Sequence, residues 1–184
     1  HPMDVLRSGI SLLGLNDPDA QDGSRAATLR KSVRLLAQIP QLIADSYQVM
    51  AGRHPAKPDT EGSFAENLLG LVAGRREGDV GAAMAQALNV SLILYAEHEF
   101  NASTFAARVT ASTLTDLHGA ITAAVATLKG PLHGGANEAV AAMLLEIGRP
   151  EHVEFWLRET LTQKRRVMGF GHRVLRQGDA RSAI

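Results

Sequence analysis

The 184-residue chain contains no cysteine, which removes disulfides and thiol nucleophiles and leaves any metal site to His, Asp and Glu. It has no excess of either charge: Lys plus Arg and Asp plus Glu both count 19, so no global field draws in nucleic acid or an anionic membrane surface. No apolar run approaches the roughly 20 residues that span a bilayer, and no basic-then-apolar leader is visible. These absences lead us to expect a soluble, cytoplasmic protein without nucleic-acid or membrane partners. The length suits one domain with a substantial core, or one domain and part of a second.

Long β-branched runs are lacking too. Ala and Leu dominate, and a helical period explains the apolar positions better than a strand period does, so the fold class expected is all-α. A first helix carries Val5, Ile10, Leu12 and Leu13, and Asn16-Asp17-Pro18-Asp19 makes a turn. A second carries Leu29 to Ile39, where Pro40 kinks or breaks it before Leu42 to Met50 resume the apolar face. Residues 52–62 form a loop. A short helix from Phe64 closes at Gly74, and another runs from about Val80 to Glu97. One long helix is expected from Ser103 to Leu128, its small residues allowing a neighbouring helix close approach. Helices over about Asn137–Ile147 and Val153–Leu161 follow, separated by Gly148-Arg149-Pro150.

Three segments could carry chemistry. Leu128-Lys129-Gly130-Pro131-Leu132-His133-Gly134-Gly135-Ala136-Asn137-Glu138 sets an imidazole between a proline and a glycine pair, where backbone can approach a ligand and a helix start would offer unpaired N–H groups. By itself this also describes a turn histidine that caps a helix. Tyr95-Ala96-Glu97-His98-Glu99-Phe100-Asn101-Ala102-Ser103-Thr104-Phe105 places His98 between carboxylates that successive helical positions would point apart, so a helix-end histidine with solvated neighbours is the plain alternative. Val167-Met168-Gly169-Phe170-Gly171-His172-Arg173-Val174-Leu175-Arg176 holds a Gly-x-Gly loop, which can lie close to a planar or phosphate-bearing group or be a simple turn. The basic residues around it, Lys164 to Arg166, Arg173 and Arg176, suit either a solvated helix end or phosphate recognition. The histidines lack the close-spaced pairing of a zinc site, so no metal is expected.

In their order and spacing these segments resemble the citrate synthase family, including its 2-methylcitrate synthase branch, along the whole chain. The resemblance implies that His133 donates a hydrogen bond to the acyl-CoA thioester carbonyl, with Ser103 hydrogen-bonding His133. It implies that His98 binds oxaloacetate with Asn101 nearby, and that His172 polarises or protonates the oxaloacetate carbonyl. Val167, Met168, Gly169, Phe170 and Gly171 would lie against the adenine of coenzyme A, with Arg176 at its phosphates. Arg181 would bind an oxaloacetate carboxylate, although the family's Asp-Pro-Arg reads Asp179-Ala180-Arg181 here.

A large helical domain over 1–130, the beginning of a small domain over 131–184 and a homodimer or larger homo-oligomer are further implications. Acetyl-CoA or propionyl-CoA enters as substrate, and no separate cofactor is expected. The family's general base is an aspartate beyond the third histidine segment, and neither Asp116 nor Asp179 matches its motif. The chain therefore reads as an internal piece unable to turn over alone. The competing reading from another class is a non-catalytic helical module that only dimerises.

Overall fold

The computed structural model describes residues 1–59, 61–74, 81–97, 99–171 and 177–184, and all regular elements among them are helical. In chain order they are α1 (Pro2–Asn16), α2 (Arg25–Met50), α3 (Phe64–Ala73), α4 (Ala82–Tyr95), α5 (Ala102–Ser112), α6 (Leu117–Leu128), α7 (Gly135–Ile147) and α8 (Val153–Thr162). Short 3-10 turns occupy Pro150–His152 and Ala180–Ala183. The chain divides into two compact units, His1–Thr127 and Leu128–Ile184. Among the described residues no helix is long and apolar enough to cross a membrane.

In the first unit α1 packs on α2, α2 on α3 and α3 on α4. Its buried apolar residues are mostly small: Ala27, Ala44, Ala65, Ala85 and Ala120 accompany Ile10, Leu35 and Leu71, and small residues let helix axes approach. Gly9 is one such contact, since a Cβ there would come within 2.5 Å of Leu42 Cδ2.

The connection between α1 and α2 is held by charge. Arg34 donates to Asp17 at 2.9 and 2.6 Å and to Asp19 at 2.6 Å, while Arg30 donates to Asp19 at 3.0 and 2.6 Å. Lys31 is buried, a costly position for an ammonium group, and its Nζ donates to the carbonyls of Asp22 at 2.8 Å and Ala20 at 3.3 Å.

α2 runs unbroken through Pro40, so the break allowed by the sequence does not occur. Beyond it, the buried Gln48 ties α2 to the end of α3 by donating to the carbonyls of Leu71 at 2.8 Å and Val72 at 2.9 Å, and Arg53 Nε donates to its Oε1 at 2.6 Å. These bonds satisfy carbonyls that a helix end leaves over. α3 opens with a capping box between Ser63 and Glu66 and closes on Gly74 at φ 63°.

The long helix expected from Ser103 to Leu128 is two helices. Leu114 is in the left-handed region at φ 64°, and Ser112 and Thr113 hydroxyls donate back to the carbonyls of Val109 and Thr110 at 2.7 Å each. Asp116 Oδ1 then accepts the N–H of Gly119 at 2.9 Å to start α6. Side chains of this type offer the backbone partners outside a helix, and a cluster of them outweighs the continuing apolar period.

In the second unit α7 ends at Gly148, φ 71°, and Pro150 opens the turn leading to α8. Arg165 folds the end of α8 back: its N–H donates to the Thr160 carbonyl at 2.9 Å, its guanidinium stands 5.8 Å over the Trp156 ring, and Nη1 lies 3.7 Å from Glu146 of α7.

Candidate functional site

The His133 segment is a tight turn in the second unit. The carbonyl of Gly130 accepts two N–H groups, from His133 at 2.9 Å and from Gly135 at 3.2 Å. The turn leaves no room for a side chain at Gly134 and little at Gly135. A Cβ on Gly134 would sit 2.5 Å from the Leu128 carbonyl oxygen, and one on Gly135 would sit 3.1 Å from that of Gly130. His133 is half-buried at the point where this turn becomes α7.

One expectation for the turn is corrected. The first amides of α7 are not left open, because Ala136 donates to the His133 carbonyl at 3.1 Å and Asn137 to the Gly134 carbonyl at 3.2 Å. These i to i−3 bonds use donors that an α-helix start would leave for a ligand. What the turn presents is the imidazole rather than a nest of amides.

The loop Val167–Gly171 lies in the same unit. Gly169 and Gly171 both have positive φ, 85° and 83°, so the loop makes two bends that glycine adopts readily. Gly169 also touches α7, where a Cβ would meet Val140 Cγ2 at 3.1 Å. The helix that begins at the His133 turn thus supports the loop directly. Phe170 projects into solvent between the two glycines, while Val167 and Met168 are half-buried.

Of the basic residues beside that loop, Arg165 is engaged with Trp156, Thr160 and Glu146. Arg181 ion-pairs with Asp179, its Nε donating to both carboxylate oxygens at 2.9 and 3.1 Å, and Asp179 Oδ1 also accepts the Arg181 N–H at 3.0 Å. The Asp-Ala-Arg turn is therefore closed on itself without the family's proline. His98, His172 and Arg176 lie outside the described residues.

In the first unit, Asn101 is the N-cap of α5, its Oδ1 accepting the N–H of Thr104 at 3.0 Å. That use commits the acceptor end of its amide. Ser103 Oγ donates to the carbonyl of Ala124 at 3.0 Å, binding α5 to α6.

Sequence reasoning passed over two groups. Phe100 and Phe105 flank the Asn101 cap, and a hydrophobic pair in those two positions was the signal for them. His118 is buried at the start of α6, and the cue was an imidazole on an otherwise apolar helix face.

The family model described as citrate synthase, C-terminal domain, matches residues 1–184. The chain is 47% identical to citrate synthase 2 of Bacillus subtilis over 182 residues, 99% of this chain and 48% of that protein. It is equally 47% identical to 2-methylcitrate synthase of Mycobacterium tuberculosis over 181 residues, 98% of this chain and 45% of that protein. Among solved structures, citrate synthase from Pyrobaculum aerophilum superposes with a TM-score of 0.87 at 35% identity, covering 100% of this chain and 47% of that one. The citrate synthase of Thermoplasma acidophilum, in a ternary complex with carboxymethyl coenzyme A and oxaloacetate, gives 0.78 at 33% identity, with 99% and 47% covered. The chain spans about half the length of the relatives it matches. Matched by that family model over residues 1–184, the chain belongs to the citrate synthase family.

Proposed function

We propose that the protein of which these residues form part condenses an acyl-CoA with oxaloacetate, giving citrate and free coenzyme A when the donor is acetyl-CoA. The observation that carries this reading is the Gly130–Gly135 turn, which sets His133 just ahead of α7 while the Gly169–Gly171 loop rests against that helix. A group that stabilises an enolate must be held before charge develops, and such a turn supplies that preorganisation.

In this mechanism a base removes a proton from the carbon next to the thioester carbonyl, and His133 donates a hydrogen bond to the oxygen as the enolate forms. The carbon attacks the ketone of oxaloacetate while His172 supplies the acid, and water cleaves the resulting thioester to release coenzyme A. Ser103 orients His133. His98, Asn101 and Arg181 hold oxaloacetate, and Arg176 with Val167 to Gly171 holds coenzyme A. The base is the aspartate that the family resemblance places downstream of His172. Asp116 does not match the family's motif, and its carboxylate starts α6.

A homodimer or larger homo-oligomer, with a large domain over 1–130 and a small one from 131, belongs to the same reading and rests on the family resemblance, and a cytoplasmic location goes with it. Equal identity to a citrate synthase and a 2-methylcitrate synthase supports a second reading, in which propionyl-CoA is the donor. One methyl group in an apolar pocket is worth only about 1–3 kcal/mol, so the two activities can coexist. The deciding experiment measures oxaloacetate-dependent release of free coenzyme A by the full-length protein and compares kcat/KM for the two thioesters. A higher value for acetyl-CoA is expected. Preference for propionyl-CoA moves the protein to the second reading, and release with neither refutes both.

A further inference from the structure

Between Glu97 and Arg108 the chain is steered by successive local devices. Glu99 stands in the left-handed region at φ 49°, its N–H bonded to the Glu97 carboxylate. Phe100 immediately precedes the Asn101 cap and Phe105 is the fourth residue of α5; their ring centroids lie 5.9 Å apart at 75°, edge to face. Apolar residues in these two positions form a hydrophobic staple, which fixes the angle at which the chain runs into the helix. Arg108, nearly one turn further on, sets its guanidinium 4.9 Å over the Phe100 ring and closes the other side.

Core formation does not account for this assembly. Phe100 and Phe105 remain 55% and 57% exposed, so the pair withdraws little surface from water compared with the buried residues of the first unit. What the staple does control is direction. It lies on either side of Asn101, whose amide oxygen is spent on capping, and of Ser103, whose hydroxyl is bonded to Ala124.

We propose that Phe100, stapled to Phe105 and covered by Arg108, is a positioning residue that sets how the Asn101 cap at the start of α5 is presented to oxaloacetate. The inference rests on the condensation reading above. An amide donor complements a carboxylate only over a narrow range of direction, and a freed staple lets the cap swing out of it.

The test uses the full-length protein with Phe100→Ala, Phe105→Ala, the double variant and the conservative Phe105→Leu. Each alanine variant is expected to raise KM for oxaloacetate about threefold to tenfold, the range an aromatic pair supplies. KM for the thioester and the melting temperature should stay at wild-type values. The double variant should be no worse than either single one, because the rings act as a unit, and Phe105→Leu should recover most of the loss. Unchanged KM for oxaloacetate in folded Phe100→Ala overturns the proposal. So does a parallel rise in both KM values with a lowered melting temperature, which marks a purely structural role. If the wild type condenses neither thioester, the functional reading has failed and the staple is judged by NMR. Movement of the Asn101 side-chain amide resonances in Phe105→Ala supports it, and their constancy overturns it.

Discussion

The ring of His118 stands 3.6 Å, Nε2 to Oδ2, from the carboxylate of Asp17, and both side chains are almost shut off from solvent at 1% and 3% exposure. The Asp116 carboxylate lies 3.8 Å from the other ring nitrogen, and Gly14 of α1 packs against the His118 Cβ. Asp17 is thus enclosed by α1, α2 and α6. Its carboxyl is held below the ordinary value of 3.8, first by the hydrogen bonds from Arg34, then against opposing burial by the Asp19 N–H and by the charges of Arg34 and His118.

A depressed carboxyl stabilises the fold above the pH at which it ionises in the unfolded chain, and that contribution disappears as pH falls through the folded-state value. Asp17→Asn should therefore lower the denaturation midpoint near neutral pH, by several degrees in a thermal scan. The gap from wild type should narrow as the medium drops below the carboxylate range. Unfolding curves over a pH series check this, and a gap that stays constant into acid would show that Asp17 acts by shape rather than charge.

At the His133 turn, Gly134→Ala forces a Cβ to within 2.5 Å of the Leu128 carbonyl oxygen. Backbone has to move, so we expect a loss of about 1–3 kcal/mol in stability. Displacing the imidazole by about 1 Å should also reduce kcat roughly a hundredfold. Gly135→Ala, with its nearest contact at 3.1 Å, should be milder on both counts. Steady-state kinetics alongside urea titrations of the two variants will rank them.

The glycines flanking Phe170 should respond differently. Among the described residues nothing crowds Gly171, so Gly171→Ala meets the strain of its positive φ, about 1–2 kcal/mol. Gly169→Ala adds a 3.1 Å contact with Val140 and should push the loop off α7. KM for the acyl-CoA is the informative quantity: it should rise more for the Gly169 variant, and equal effects would deny that the loop is supported by α7.

Gln48→Met keeps the volume but removes the donors to Leu71 and Val72 and the acceptor for Arg53. Stranding those groups should cost about 1–3 kcal/mol in a chemical denaturation experiment.

Where the chain carries its own punctuation, its structure could be read directly. The Ser63 to Glu66 capping pair and Gly74 bound α3, and Gly148 ends α7 near where periodicity expected. Periodicity misled between α5 and α6, because the stop is made by hydroxyl and carboxylate bonds and by a left-handed Leu114, which is not a residue that announces a bend. At the site, the Gly-Gly after His133 announced a close turn. That the same turn consumes its own amides follows from i to i−3 geometry that composition does not encode. Similarly, Asn101 was not readable as a cap with its acceptor spent, nor Arg165 as a brace on Trp156.

Pro40 has a further consequence for α2. Residue 40 has no N–H to give to the carbonyl of Leu36, so the ladder of that helix has a missing rung between two differently anchored halves. Lys31 and Arg34 fasten one half to the preceding connection, and Gln48 fastens the other to α3. Opening one half therefore need not unzip the other. In amide hydrogen exchange α2 should behave as two neighbouring cooperative segments meeting at Pro40, each protected by the partner it holds.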